Sequence, residues 1–377
     1  MIDICFKLVK ANMSLVQVMN NRHVILYILG GFRVMRFLTI DKVVPGSRLA
    51  KPLYGAQGVI LLRHNVELTE AILSRLKANG YTGLYIEDEI SEGIIINDFV
   101  DEGLRLMTAS RLESIVNQNG NLAEMKPLIS EIVDNIIANG DVEINMQHLL
   151  GHHEYTYLHC VNVGILAISI GIKLNLNRDN LIYLGTAGIL HDVGKKFVPI
   201  EILDKQGKLS KEEFKLIQKH PEFGFEFLAD SIELNSVTKV GVLEHHERFD
   251  GSGYPRGLKG EEITIFGRIL AVADTYDAMT SDRAYRNAFS PSETVEYLMG
   301  TGNQLYDSGV IDVFVRCVTV YPVGSSVELS DGTQGIILSN YPDCVLRPVV
   351  RNIENKEIID LKNDPSYLNI CISKIIM

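Results

Sequence analysis

Seven side chains able to bind metal ions lie between residues 159 and 274 of this 377-residue chain. Five are imidazoles and two are carboxylates: His159, His191, Asp192, His220, His245, His246 and Asp274. Nitrogen and oxygen donors without a thiolate suit a pair of borderline-to-hard divalent ions better than a structural zinc site. The set therefore predicts a two-metal hydrolase.

His191 and Asp192 follow an apolar helical stretch, and Gly194 and Lys195 come directly after them. Neighbours on a helix point about 100° apart, so both side chains reach one ion only at the lip of a cavity. Burying two polar groups there is unfavourable unless a cation compensates them. Lys195 is placed to hold a phosphate or to protonate a leaving oxygen, although an exposed cation at a helix end is the alternative.

The stretch after His245 and His246 contains two glycines and a proline, which predicts a tight loop forming one wall of the site. Asp274 ends another apolar run, and a buried lone aspartate is rare unless it is paired or coordinating. Taken alone, His159 would more often be a satisfied core histidine. Arg283 and Arg286 predict a phosphate clamp, with a solvated helix face as the alternative.

With these residues in view, the segment 147–315 resembles the HD-GYP family of cyclic dinucleotide phosphodiesterases, a branch of the HD hydrolases. The resemblance rests on two intact motifs, HDVGK at residues 191–195 and HHERFDGSGYP at residues 245–255. It implies an all-helical catalytic domain with two divalent metal ions, usually iron or manganese. It also implies hydrolysis of cyclic di-GMP to pGpG or GMP through attack of a metal-bridging hydroxide on phosphorus.

The family's ligands carry over by position onto two groups. One metal would be held by His159, His191, Asp192 and Asp274, and Asp192 would bridge to a second held by His220, His245 and His246. The resemblance gives Asp192 and Lys195 catalytic roles. Substrate contacts are implied for Lys195, Arg283, Arg286, Gly253, Tyr254 and Pro255. Tyr155 occupies the place where some members carry a third-metal carboxylate, so we expect two metals.

The rest of the chain divides by pattern, and the overall class is mainly α. Residues 35–97 predict a small α+β regulatory module, in which Val43-Val44, 58–62 and 83–86 read as strands and Leu68 to Ala78 as a helix. Residues 98–146 predict two amphipathic helices that either join the domains and mediate a homodimer or pack on the catalytic core. Residues 316–377 predict a C-terminal β module.

Composition limits the classes of protein to which the chain could belong. The chain is 46% hydrophobic and 22% charged, as expected of globular domains, and its net charge of −11 argues against a broad nucleic-acid surface. Five cysteines, with no CxxC spacing, make a disulfide framework improbable and favour a reducing, cytoplasmic location. The longest apolar stretch near the start, 23–32, is too short to span a bilayer, and we expect no membrane span.

Residues 1–34 show no clean period or capping signal. Gly30-Gly31 can be encoded by a ribosome-binding core placed suitably before the Met35 codon. Two interpretations stay open: translation begins at Met35, or the segment is a variable N-terminal arm.

Two alternatives to a cyclic di-GMP phosphodiesterase stay open. The same centre would serve for the mixed cyclic GMP-AMP dinucleotide or another phosphoester, because base identity is read by pocket edges that the sequence does not locate. A non-catalytic sensor of the nucleotide would be favoured by missing ligands, and none is missing here.

Overall fold

The computed structural model describes residues 35–88, 91, 94, 96, 100–118, 120–139, 155–281 and 288–376. The interpretation of residues 1–34 lies outside this part of the chain, as does the proposed clamp at Arg283 and Arg286. The side chain of Tyr155 is also outside it, so the expected count of two metals is not addressed there.

The N-terminal module is a small α+β unit. It contains β1 (Arg36–Thr39), β2 (Arg48–Leu49), β3 (Leu53–Tyr54), β4 (Ile60–Leu62), α1 (Glu70–Ala78) and β5 (Gly83–Glu87). One antiparallel sheet has the order β1-β5-β2, and β3 pairs with β4 in a separate hairpin. The Thr69 hydroxyl accepts a hydrogen bond from the Ile72 amide and so begins α1, as the sequence predicts.

The strand prediction for Val43-Val44 is wrong. After β1 the chain turns through a short 3-10 helix over Ile40–Lys42. Val43 is buried in the module core, whereas Val44 is 67% exposed. The two β-branched residues therefore form a turn that buries one side chain, and propensity alone does not distinguish this from a strand.

The two helices that follow are α2 (Glu102–Gln118) and α3 (Met125–Asn139). Their apolar faces include Leu112, Ile115, Ile129 and Ile132, all nearly inaccessible to solvent. These side chains belong to the same hydrophobic cluster as the helices that carry the candidate ligands. Helices α2 and α3 therefore pack on the helical core, which was the second alternative for residues 98–146. Homodimerisation stays a prediction.

The chain from residue 155 to residue 315 is helical with short connections. The helices are α4 (Tyr155–Lys173), α5 (Arg178–Leu190), α6 (Ile200–Leu203), α7 (Lys211–Ile217), α8 (His220–Leu228), α9 (Ser236–Glu244), α10 (Ile265–Thr280), α11 (Pro291–Gly300) and α12 (Ser308–Val315). The capping boxes predicted at Ser210–Glu213 and Ser290–Glu293 are both present and begin α7 and α11.

Helix α4 runs through the middle of this domain. Within the described residues, its window Thr156–Lys173 is the one stretch long and apolar enough to cross a bilayer, and 72% of that window is buried inside the protein. Burial of this kind is what a core helix requires, and His159 lies on the same helix.

Helices α4 and α5 cross with their backbones in contact. A Cβ added to Gly188 on α5 would lie 2.7 Å from the Cα of Gly164 on α4, closer than real side chains approach. This crossing comes five residues after His159 and three residues before His191. The two glycines therefore let the helices come close enough to place both imidazoles beside one cavity.

The C-terminal region forms the predicted β module. Its five strands are β6 (Ser326–Leu329), β7 (Gln334–Ser339), β8 (Val349–Asn352), β9 (Ile358–Asp360) and β10 (Ile372–Ile375). They pair antiparallel in the order β10-β6-β7-β8-β9. The predicted turn at Gly332, with φ of +88°, joins β6 to β7. Inward residues such as Val327 and Ile337 join the core cluster of the helical domain.

The glycine crossing yields a test of the fold. We expect Gly188→Ala to lower the free energy of unfolding by about 1–3 kcal/mol, because the added methyl group forces two helix backbones apart. Alanine is the better helix former, so a loss must come from packing. The control is Gly300→Ala at the end of α11, where the new methyl would meet nothing within 4 Å. Urea unfolding measures the free energy of unfolding of both variants, and equal values would contradict the close crossing of α4 and α5.

Candidate metal centre

The seven candidate ligands converge in one cluster, in which three lie on α4, α8 and α10 and four lie at the carboxyl ends of α5 and α9. His159, His191 and Asp192 form one group, and His220, His245 and His246 form another; within each group the potential ligand atoms lie within 4.8 Å of one another. His220 Nε2 also lies 3.1 Å from His245 Nε2. The convergence expected from the sequence is therefore present.

The two carboxylates lie between these groups. Asp192 Oδ2 is 3.3 Å from His191 Nε2, and its Oδ1 is 3.3 Å from His220 Nε2. Asp274 Oδ1 is 3.2 Å from His159 Nε2, and its Oδ2 is 3.9 Å from His246 Nδ1. Asp192 thus turns one oxygen toward His191 and the other toward His220, as a carboxylate shared by the two groups would.

Three of the imidazoles are held in the same way. The Nδ1–H groups of His191, His220 and His245 donate to carbonyl oxygens three residues earlier, at distances of 2.7, 2.7 and 2.6 Å. His191 and His245 are the C-cap residues of α5 and α9, so they bond carbonyls that the helix ends leave without amide partners. These bonds engage Nδ1 and leave Nε2 of each ring facing the other candidate ligands.

The helix ends also favour cations electrostatically. The carboxyl ends of α5 and α9 both face the cavity, since their C-cap residues line it. The carbonyl ends of helices carry partial negative charge, which stabilises a positive ion placed there. This contribution adds to that of the two carboxylates.

The protonation states fit metal binding. Burial lowers the pKa of His245 and His246 well below the ordinary value, with neighbouring imidazoles adding to the effect, so both are neutral. Burial opposes the ionised form of Asp192, but His191 and Lys195 outweigh it and hold its pKa well below the usual range. For His159, burial is outweighed by Asp274 and Asp277, which raise its pKa to about 9. A metal ion at His159 must therefore displace a proton.

Two buried polar atoms show that the residues fit a cation. Within the described part of the chain, His191 Nε2 and Asp192 Oδ1 are inaccessible to solvent and have no hydrogen-bond partner. Such groups are costly unless satisfied. The donor set of imidazole nitrogen and carboxylate oxygen agrees with divalent metal ions.

Lys195 lies at the edge of this cluster. Its Nζ is 2.5 Å from Asp192 Oδ2, and its side chain keeps 34% of its exposure. Helix α5 ends at Leu190 and residues 193–197 form a 3-10 helix, so Lys195 meets Asp192 rather than following His191 on one helical face. The ammonium is therefore close to the cavity and also reachable from solvent.

Gly194 has a packing role. A Cβ there would lie 1.9 Å from the carbonyl oxygen of His220, which means that the backbone of the 3-10 turn touches the start of α8. Glycine is therefore needed at this position because the two backbones approach so closely. The contact places His220 against the segment that carries Asp192.

The loop after His246 is fixed by buried carboxylates. Glu247 is 1% exposed, and its oxygens accept hydrogen bonds from the backbone amides of Arg256 and Leu258 at 2.7 and 3.0 Å. A Cβ at Gly253 would lie 2.2 Å from the Arg248 nitrogen, so the loop folds tightly on itself. The rigid wall predicted from the sequence is present.

Tyr254 brings this wall to the imidazoles. Its ring lies 4.7 Å from the ring of His246 at an angle of 32°. Burial raises the pKa of its phenol, so the hydroxyl stays protonated at neutral pH. Pro255 follows it, half-buried, at the rim of the loop.

Two buried residues that the sequence interpretation missed support the site. Asp277 accepts a hydrogen bond from His159 Nδ1 at 2.7 Å, and Asn162 Nδ2 donates to the other oxygen of Asp277 at 3.0 Å. A usable signal existed, because Asp277 follows Asp274 by three residues and must share its helix face. A carboxylate behind an imidazole is a usual partner of a metal ligand.

Comparison with known proteins agrees with this geometry. Residues 132–310 match the family model described as HD domain. A cyclic di-GMP phosphodiesterase of Pseudomonas aeruginosa is 38% identical over 229 residues, covering 61% of this chain and 55% of that protein. A cyclic di-GMP phosphodiesterase of Thermotoga maritima is 39% identical over 165 residues, covering 43% of this chain and 44% of that protein.

A third relative carries a different name. A 3'3'-cGAMP-specific phosphodiesterase of Vibrio cholerae is 34% identical over 201 residues, covering 53% of this chain and 37% of that protein. The chain thus spans about half or less of the length of these relatives. HD domains bind divalent metals, and the cluster described above lies within the matched segment. Residues 132–310, a little under half of the chain, are thus similar to HD domains.

Proposed function

We propose that this protein is a metal-dependent phosphodiesterase that hydrolyses cyclic di-GMP to pGpG or GMP. The observation that carries the proposal is the pair of ligand groups joined by Asp192, with His191 Nε2 and Asp192 Oδ1 buried and unsatisfied among the described residues. Relatives named cyclic di-GMP phosphodiesterases are 38% and 39% identical to this chain over 229 and 165 residues.

The proposed ligands follow the two groups. His159, His191, Asp192 and Asp274 would hold one ion, and His220, His245 and His246 would hold the other with Asp192 shared. Iron or manganese suits this donor set. When bound, such a pair supplies Lewis-acid polarisation of a phosphoryl oxygen and lowers the pKa of a water nucleophile.

The remaining residues bind and orient the substrate in this proposal. Lys195 contacts a phosphoryl oxygen or gives a proton to the leaving oxygen from its position beside Asp192. Gly253, Tyr254 and Pro255 form a wall that keeps water from one side of the cavity. Arg283 and Arg286 stay predicted phosphate contacts from the sequence.

The mixed dinucleotide is the second candidate substrate, because the relative from Vibrio cholerae is named for it. The ligand groups serve either substrate, since the reacting phosphodiester is the same. The sensor alternative is less well supported, because all seven ligands converge.

Chromatography of the products tests the proposal directly. Metal-free protein is loaded anaerobically with Fe(II) or with Mn(II) and incubated with cyclic di-GMP and, separately, with cyclic GMP-AMP. We expect linear products only after loading, with cyclic di-GMP consumed faster, and we expect a chelator to stop the reaction. Turnover by the metal-free protein would contradict the proposed centre, and faster turnover of the mixed dinucleotide would favour the second candidate.

Removal of the central ligands gives a second prediction. His191→Ala combined with Asp192→Ala should abolish hydrolysis. One ligand group loses two of its donors, and the carboxylate shared between the two groups is lost. The helical fold should persist, since neither residue belongs to the apolar cluster that packs the helices together. Circular dichroism checks the fold, and unchanged hydrolysis by the double variant would refute the assignment.

The role of Lys195 can be separated from general surface charge. Lys195→Met keeps much of the side-chain volume and removes the cation, and we expect kcat/KM to fall by about 100-fold. Lys196→Met is the matched control, because the Lys196 ammonium lies over the Phe227 ring, 4.6 Å from its centre, rather than beside Asp192. Steady-state kinetics measures kcat/KM of both variants. Equal values would indicate that Lys195 is only an exposed cation at a helix end.

A further inference from the structure

A row of hydrogen bonds connects helix α2 with His159. Arg105 Nη2 donates to Asn162 Oδ1 at 2.7 Å, and Asn162 Nδ2 donates to Asp277 Oδ1 at 3.0 Å. The other oxygen of Asp277 accepts from His159 Nδ1 at 2.7 Å. Asn162 and Asp277 are fully buried, whereas Arg105 is half-buried.

The donors and acceptors in this series of hydrogen bonds allow one orientation for the Asn162 amide. A guanidinium only donates and an ionised carboxylate only accepts, so the Asn162 amide must turn its oxygen to Arg105 and its nitrogen to Asp277. Asp277 is then held by Asn162 on one oxygen and directs the other at His159. Loss of the Arg105 donor would leave a buried amide oxygen without this partner, which is costly and releases the amide to reorient.

We propose that Arg105 is a positioning residue for the His159 side of the metal centre, acting through Asn162 and Asp277. The inference rests on the proposed metal-dependent function. Partners behind a ligating imidazole set its orientation and its basicity, and their removal weakens metal binding by about 10- to 100-fold. Arg105 touches none of the candidate ligands, so its effect passes through the row.

The position of Arg105 also places the N-terminal module on this path. A Cβ added at Gly58 would lie 2.5 Å from the carbonyl oxygen of Gly103, so the module backbone touches the first turn of α2. The Tyr54 hydroxyl donates to Asp101 at 3.3 Å, and the other Asp101 oxygen accepts from the Leu104 amide at 3.2 Å. Arg105 follows two residues after Gly103. A shift of the module against α2 therefore moves Arg105 and changes how firmly His159 holds its ion.

The experiment measures Mn(II) binding by the full chain in competition with a fluorescent chelator. Arg105→Met should raise, by about 10-fold or more, the dissociation constant of the same Mn(II) ion whose binding His159→Ala weakens. Arg105→Lys keeps a cationic donor and should recover part of the affinity. Arg111→Gln is the matched control on the same helix, since Arg111 pairs with Glu124 at the surface with 49% of its side chain exposed. Arg111→Gln should bind Mn(II) as the wild type does.

Thermal unfolding of the metal-free variants separates positioning from general stability. A variant Arg105→Met that melts lower but binds both Mn(II) ions normally would overturn the proposal, because a merely structural residue behaves in that way. In a His159→Ala background, Arg105→Met should cause little further loss of affinity, as expected for residues in one network. An equal further loss there would also overturn it.

Gly103→Ala tests the connection to the module. The added methyl would lie 2.8 Å from Asp101 Oδ1 and 2.9 Å from the Tyr54 ring, so the contact between the module and the start of α2 must rearrange, while alanine supports the helix itself. We expect Mn(II) affinity to fall several-fold, and unchanged affinity would remove the module from the path. A wild type that binds Mn(II) without hydrolysing either dinucleotide would end the proposed function and leave this inference standing. A wild type that binds no Mn(II) would end both.

Discussion

The structure depends on how imidazoles and carboxylates are satisfied inside an apolar helical core. Each of these groups would be unfavourable there alone, since burial removes water from a polar atom. His191, His220 and His245 meet this constraint by donating Nδ1–H to a carbonyl of their own helix end. The same bonds turn every Nε2 toward the common cavity, where a positive ion compensates the rest. Satisfying one ring nitrogen therefore orients the other.

Carboxylates fill two distinct roles in this domain. Asp192 and Asp274 face the imidazole nitrogens, whereas Glu244 and Glu247 face backbone amides and fix the loop beyond His246. The Glu244 carboxylate accepts from the Thr264 amide at 2.8 Å, which ties the end of α9 to the start of α10. Both roles remove unpaired charge from the interior. Only the first leaves donor atoms available to a metal.

Sequence patterns located the ligands because buried polar residues interrupt apolar runs in a recognisable way. The capping boxes of α7 and α11 were equally readable, since capping depends on residues only three positions apart. Val43-Val44 was misassigned because a β-branched pair can close a turn as well as extend a strand. Asp277 and Asn162 were missed because their partners lie more than a hundred residues away along the chain.

The packing of α2 shows why the domain boundaries were harder to predict than the site. Its pattern of apolar residues indicated an amphipathic helix, yet amphipathicity does not say which surface the apolar face covers. In the structure that face, α3, the helices carrying the candidate ligands and the inner face of the C-terminal sheet share one hydrophobic cluster. Close-packed interiors transmit displacement rather than absorb it. The candidate metal centre is thus built into a core that extends well beyond the helices carrying its candidate ligands, and the proposed path from α2 to His159 runs through this core.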